Sequence, residues 1–381
     1  MTHPATYAAA QNEERQRGAG GSAPHGSALH TVESIEACTE RLGVSRIAAE
    51  LFQASDVIDL HIDSFIWARL FGYRLDKRHG VGLFGARGYS QVDMPRLREV
   101  GVSAATWVIT TNPARSVGSQ INALRRNLLH LERLLGGMQA DTTIVRSYAD
   151  YRQARESGKH AAFLGIQGGN ALHGGVDAFS LLDAQRVLRV TLLHLSSSGL
   201  GSTSSPLSFG GKALTTSGLD CVRELNSRRI LVDLAHISER GFFDALKVHD
   251  RSIPPIVTHT GVSGVYQHWR NLTDSQVRAI GDRGGVVGIM YHTPFLQPGF
   301  KRGTLDSVIR HIEHAANVAG IDCVALGSDW DGAITTPSDM RTCSELPRLV
   351  DQLLRRGWRD DAVQKLLGQN FLRVLRCLRG E

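Results

Sequence analysis

Eight short runs rich in apolar and β-branched residues recur along this chain, at 57–61, 104–109, 161–166, 189–193, 230–234, 256–258, 286–290 and 323–327. Longer stretches with helical patterning separate them, among them 120–135, 183–188, 217–226, 241–248, 274–283 and 305–319. Strands that alternate with helices pair in parallel, because a parallel neighbour is reached only by a crossover connection. Eight such units predict a closed (β/α)8 barrel of the TIM type, a single domain, rather than an open sheet. Neither G-x-G-x-x-G after the first run nor G-x-x-x-x-G-K-[ST] occurs, which argues against a nucleotide-binding doubly wound sheet. A helical pattern from Glu33 to about Phe52 precedes the first strand. Residues 1–30, rich in Gly, Ala, Ser and Gln without periodicity, are expected to form a disordered arm, leaving 31–381 as the barrel domain.

Composition narrows the classes of function. No apolar run approaches the roughly 20 residues that cross a bilayer. Residues 1–18 lack the apolar core of a secretory signal, and Arg379-Gly380-Glu381 lacks the hydrophobic tail of a lipid-anchor signal. Cys38, Cys221, Cys323, Cys343 and Cys377 are dispersed and never in a C-x-x-C pair. That spacing argues against a disulfide framework or structural zinc and suits a reducing cytoplasm. The net charge of +6 is spread along the chain with no nucleic-acid motif. No nucleic-acid partner is expected, and anionic small molecules are favoured electrostatically.

In five of the eight units, histidine or aspartate falls at one place, the end of the apolar run. The first run leads into His61 and Asp63, two apart and therefore on one side of a strand. His194, His236, His259 and Asp329 stand at the ends of the fourth, fifth, sixth and eighth runs. In a barrel these ends surround one mouth, so residues about 270 apart in sequence can share a site. Imidazole and carboxylate suit zinc and its neighbours in the first transition series. A single histidine at a strand end is ordinarily structural, and a single Asp there ordinarily caps the next helix; their repetition at successive ends is what points to a metal. Other histidines carry no such pattern: His311 and His314 read as packing or surface residues, and His173, His249, His268 and His292 have no partner spacing. Ser263 lies in Gly-Val-Ser-Gly, which lacks the G-x-S-x-G spacing of a serine hydrolase. Asp331 reads as a support for the loop after strand eight.

The same segments resemble the membrane (renal) dipeptidase family, zinc peptidases of the amidohydrolase superfamily. Ile58 to Asp63 (Ile-Asp-Leu-His-Ile-Asp) is similar to the family's opening His-x-Asp strand. Val190 to His194 resembles its Thr-Leu-Thr-His strand, and Leu231 to Ser238 (Leu-Val-Asp-Leu-Ala-His-Ile-Ser) resembles its most distinctive segment. Pro255 to His259 with Arg270-Asn271, and Ala325 to Gly332 after the helix that contains His311-Ile-Glu-His, extend the likeness over roughly residues 55–375. The resemblance implies a two-metal site: His61 and Asp63 on one ion, His236 and His259 on the other, with the residue at 167 bridging. It further implies that His194 stabilises the oxyanion and contacts substrate, that Arg270 holds the substrate carboxylate, and that Asp329 shuttles the proton.

Two segments depart from the family pattern. Where the family has a bridging glutamate in a Glu-Gly-Gly setting, this chain has Gln167 in Leu-Gly-Ile-Gln-Gly-Gly. A neutral amide removes the negative charge that two dications would share. The expectation is therefore Zn2+ as cofactor, one ion or two, with one tightly held ion or fewer. After His194 comes a small, polar run from Ser196 to Pro206, read either as a rebuilt substrate lid or as an ordinary loop. The expected function is hydrolysis of the amide bond of a dipeptide or similar small amide through a metal-activated water. The alternatives are a family member redirected to another small amide, and a weakly active or inactive homologue that keeps the cavity. The expected partner is a dipeptide or small-molecule substrate, with no nucleic acid, no membrane, and a homodimer left open.

Overall fold

The computed structural model describes residues 32–381 apart from 83, 112–115, 184–185, 207, 209–212 and 300–301. The expected arm at 1–30 lies outside the described residues. The strands are β1 (Ile58–Ile62), β2 (Ala104–Thr110), β3 (Thr142–Ile144), β4 (His160–Gln167), β5 (Arg189–Thr191), β6 (Leu231–Asp233), β7 (Ile256–Thr260), β8 (Val286–Ile289) and β9 (Val324–Leu326). All pairings are parallel, and β2 pairs directly with β4 while β9 pairs with β1, which closes eight strands into a ring. All eight expected runs are in that ring. The remaining strand, β3, pairs with the first residues of β4 from outside the ring, Thr142 opposite His160. Its three residues are too short to carry a period, and the sequence reading missed it.

The ring strands are buried almost throughout, as parallel strands covered by helices on the outside must be. Helices Val117–Gly136, Thr216–Ser227, Glu239–Val248, Asp274–Gly281 and Leu305–Ala319 stand where helical patterns were expected. Two expectations are corrected. The pattern at 33–52 is two helices, Ile35–Leu42 and Arg46–Ala54. Gly43, at φ 67, ends the first, and the Ser45 side chain caps the second by accepting from the Ala48 amide. Among the described residues of 183–188 there is no helix: the Arg186 and Val187 amides close a turn on the Asp183 carbonyl, at 2.8 and 2.9 Å. Leu188 already bonds the Leu164 carbonyl as the chain enters β5, so too few residues remain for a helix.

Where β7, β8 and β9 meet, the barrel is held tight by two glycines. A Cβ on Gly288 or on Gly327 would run into the Thr258 carbonyl. Inside the ring lies a polar layer. Asp59 and His61 of β1, Arg189 and Thr191 of β5, Asp233 of β6 and Thr258 of β7 are all buried and bond one another across the barrel. That layer is the floor of the site.

Candidate metal centre

Every residue expected at the mouth is at the C-terminal end of a ring strand. His61, Gln167 and His259 belong to β1, β4 and β7, while Asp63, His194, His236 and Asp329 lie within three residues of the ends of β1, β5, β6 and β9. The β1 and β9 extensions are stitched together: the Asp329 amide donates to the His61 carbonyl (3.2 Å) and the Asp63 amide to the Trp330 carbonyl (2.9 Å). His236 and Asp329 have left-handed backbones, φ 65 and 63. Such a conformation costs a non-glycine residue on the order of 1 kcal/mol or more and persists where the surroundings enforce it.

The side chains converge. His61, His259 and Asp329 each offer a ligand atom within 4.8 Å of the others. His61 Nε2 lies 3.5 Å from Asp63 Oδ2 and 3.8 Å from Asp329 Oδ1. His236 Nε2 and His259 Nε2 are 2.8 Å apart, and the His194 ring packs edge-on to His236 with centroids 4.7 Å apart. Thr110 Oγ1 donates to Asp63 Oδ1 at 2.6 Å. The Gln167 amide satisfies its neighbours with its NH2 toward Asp63 Oδ2 and Oδ1 (3.0 and 3.2 Å), which turns its carbonyl oxygen toward His259.

Burial sets the protonation states. Asp329 is raised well above the ordinary carboxylate value by burial and by the Asp63 carboxylate, with Arg270 opposing. For Asp63 burial acts upward too, but the His61 and Thr110 hydrogen bonds outweigh it and hold the group below its ordinary value. Two neighbouring carboxyls pushed apart in this way are suited to divide acid and base roles. Burial, with Arg270 and the neighbouring histidines adding to it, keeps His236 and His259 well below the usual imidazole range. His194 is brought down to about 4, by burial first. These histidines are neutral at pH 7, as ligands and hydrogen-bond donors must be.

Whether the donor set fits a metal ion turns on where each imidazole carries its hydrogen. The Thr258 hydroxyl donates to Asp233 Oδ2 (2.7 Å), so in its 2.9 Å contact with His259 Nδ1 the ring supplies the hydrogen. His259 Nε2 is thereby left as a lone pair facing the mouth, with the outer-shell arrangement characteristic of metal-binding histidines. The buried Nδ1 of His236 has no hydrogen-bond partner, so nothing fixes its tautomer against a ligand at Nε2. His236 and His259, with the Gln167 oxygen turned toward His259, offer a ligand set for one divalent ion. The His61–Asp63 half does not offer the same fit, because Gln167 turns its NH2 toward Asp63, and an N–H cannot bridge cations.

Beside this centre opens a cavity of about 1000 Å3, lined in part by Ser202 to Pro206, Arg240, Trp269 and Arg270. Arg270 is 3% exposed, and burial draws its guanidinium down to about 10, still protonated at neutral pH. Its Nη2 donates to the His259 carbonyl at 2.5 Å. The serine-rich run after His194 folds over His236, whose carbonyl accepts from the Ser204 amide (2.7 Å) and the Thr203 hydroxyl (2.8 Å). Asp331 braces the loop after β9, accepting from the Gln91 amide at 2.8 Å. His311 is a packing residue between the Val262 amide and the Leu296 carbonyl. The sequence reading missed Thr110, Arg189, Asp233 and Thr258. Their one signal was that Arg189 and Asp233 are charges belonging to otherwise apolar strand runs, Arg189 opening one and Asp233 lying within the other.

The sequence profile of the membrane dipeptidase family, peptidase family M19, matches residues 45–379. An uncharacterised protein from the pqqA 5′ region of Klebsiella pneumoniae is 32% identical over 266 residues, 68% of this chain and 97% of that one. The crystal structure of an M19 dipeptidase, a metallopeptidase, superposes with a TM-score of 0.74 at 26% identity, over 86% of this chain and 99% of the other. A metallopeptidase from Rhodobacter sphaeroides, crystallised with a phosphinate mimic of the dipeptide L-Ala-D-Ala, shares the fold, with a TM-score of 0.74 at 23% identity over 84% and 99% of the two chains. The profile match over residues 45–379 and the shared fold show that the chain belongs to the membrane dipeptidase family, the M19 metallopeptidases, and is a hydrolase.

Proposed function

We infer that this protein is a metal-dependent dipeptidase that hydrolyses dipeptides or similarly small amides with one firmly held divalent ion, zinc in the first instance. The observation that carries this reading is the aim of His259 Nε2 and His236 Nε2, 2.8 Å apart, into a mouth shared with Asp329 and adjoined by Arg270. An ion held by His236 and His259 would supply Lewis acidity, polarising the amide carbonyl and acidifying water. The chain's own residues do the rest. Arg270 offers a two-pronged donor to a C-terminal carboxylate. A His194 N–H aimed at the carbonyl oxygen favours the charge that develops there. Asp329, whose burial raises its proton affinity, can accept the proton of the attacking water and deliver it to the departing amine. We read residues 31–381 as one catalytic domain acting in the cytoplasm. All five cysteines are free, and among the described residues no helix is long and apolar enough to cross a membrane.

Elemental analysis of the purified protein beside Gly-D-Ala and Ala-Ala hydrolysis tests the reading. About one ion per chain with turnover is expected. Two firmly held ions would defeat the single-ion part. A metal-free protein in which no divalent ion produces turnover would defeat the hydrolase mechanism. The cavity favours a second reading. At about 1000 Å3 it reaches the upper end of small-molecule pockets, more room than a dipeptide needs. Faster turnover of a bulky N-acylated amino acid than of Ala-Ala would identify a family member redirected to larger amides.

A further inference from the structure

We propose that Arg189 makes this a one-ion site, by holding His61 in the tautomer that cannot bind a metal and so converting the His61–Asp63 half into a hydrogen-bonded wall. The proposal rests on the single-ion reading above and names its determinant. Arg189 is 1% exposed at the start of β5, beneath the mouth. Its Nη2 donates to His61 Nδ1 at 2.8 Å and to the Leu60 carbonyl at 3.3 Å. Its Nη1 donates to Thr191 Oγ1 at 2.6 Å and to Asp233 Oδ2 at 3.1 Å. A guanidinium has donors only and keeps its charge in proteins. The hydrogen bond to His61 therefore uses the Nδ1 lone pair, and the neutral ring carries its hydrogen on Nε2, the atom that faces Asp63 and Asp329.

A ligand nitrogen needs that lone pair free. To provide it, His61 would have to lose both ring hydrogens, or Arg189 would have to leave four hydrogen bonds in the barrel floor. Metal-binding histidines ordinarily give their second N–H to a carboxylate or carbonyl; here the second nitrogen meets a cation. The contrast with His259 comes from one residue. Asp233 reaches His259 through the Thr258 hydroxyl, which accepts from Nδ1, and it faces His61 through Arg189, which donates to Nδ1. The same buried carboxylate thus leaves one imidazole open to a metal and closes the other. Asp63 is satisfied without an ion, since Thr110 and the Gln167 NH2 donate to it and His61 Nε2 stands 3.5 Å away. The fixed guanidinium charge adds Coulomb repulsion against a second dication above His61.

Metal stoichiometry separates Arg189 from Gln167. Zinc titration by calorimetry and elemental analysis after dialysis would be run on wild type, Gln167→Glu, Arg189→Met and the double variant. If Arg189 is the bar, Gln167→Glu alone stays at one firmly held ion, and the double variant takes up a second. If Gln167→Glu alone holds two, the proposal is overturned while the single-ion reading of the natural chain survives. Two ions in wild type would overturn both. Loss of dipeptide hydrolysis with the predicted stoichiometries would reject the assigned function and leave this proposal standing. Arg189→Met leaves Asp233 with the Thr191 and Thr258 hydroxyls and the Ala235 and Thr258 amides. If it nonetheless fails to fold, 15N NMR of the imidazoles in metal-free wild type decides without a variant. His61 is expected as the Nε2–H form and His259 as the Nδ1–H form; His61 as Nδ1–H would overturn the proposal.

Discussion

Arg270 can be tested apart from any metal. Its guanidinium is buried yet charged, and it anchors on the His259 carbonyl, so its removal could act through the carboxylate of a substrate or through the histidine behind it. If it clamps a free C-terminus, Arg270→Met costs about 2–5 kcal/mol in kcat/KM on dipeptides. The variant and wild type should then differ little on the amidated analogues, which wild type itself turns over poorly. Equal losses on free and amidated substrates would show that the arginine only positions His259. At this scale the sequence was legible where residue type and place coincide: imidazoles and carboxylates at strand ends, and Gln167 where a charge is expected. Thr258 and Thr110 were not legible, because a threonine in a strand is ordinary and its hydroxyl acquires a role only from the carboxylate on the neighbouring strand.

The elements that place the site are β7, β8 and β9, and they depend on the absence of two side chains. Gly288 and Gly327 leave the space that the Thr258 carbonyl occupies, and Thr258 in turn sets the tautomer of His259. Gly327→Ala is expected to destabilise the fold by about 1–3 kcal/mol, the usual cost of overpacking. It should also loosen the metal, because β7 must shift. Urea midpoints and retained zinc after dialysis read the two effects. Gly118→Ala, where a Cβ meets nothing within 4 Å, serves as the control and should lower neither. Unchanged zinc retention in a destabilised Gly327→Ala would separate the packing of β7 from the metal. The strands and most helices could be read from periodicity. The break at Gly43 could not, because the apolar pattern of 33–52 runs on through a residue whose left-handed backbone ends the helix.

The whole molecule carries a pH dependence outside the mouth. His160 is fully buried; its Nδ1 donates to the Val102 carbonyl (3.0 Å) and its Nε2 accepts from the Trp107 indole (3.3 Å), so a second ring hydrogen would face a donor. Burial lowers it from 6.5 to about 4. His311 and His249, also bonded to backbone carbonyls, are lowered to about 4 by burial as well. Between those values the unfolded chain binds more protons than the folded one. The stability these groups confer is complete above pH 6.5 and is lost as pH falls toward 4. For His160 that amounts to at most about 3 kcal/mol. Denaturant midpoints should fall steadily from pH 7 to 4.5 in metal-free protein; a flat profile would mean these histidines take up protons without cost. The sequence by itself determined the eight-strand alternation, the closed barrel and the ring of ligand-type residues at its mouth, because periodicity and strand-end position are local properties of the chain. Only the tertiary structure decided which imidazole nitrogen is open, because that depends on Arg189, Asp233 and Thr258 meeting from three adjacent strands and on Arg189 reaching His61 across the barrel. A hydrogen-bond direction between residues so far apart in sequence leaves no local pattern to read.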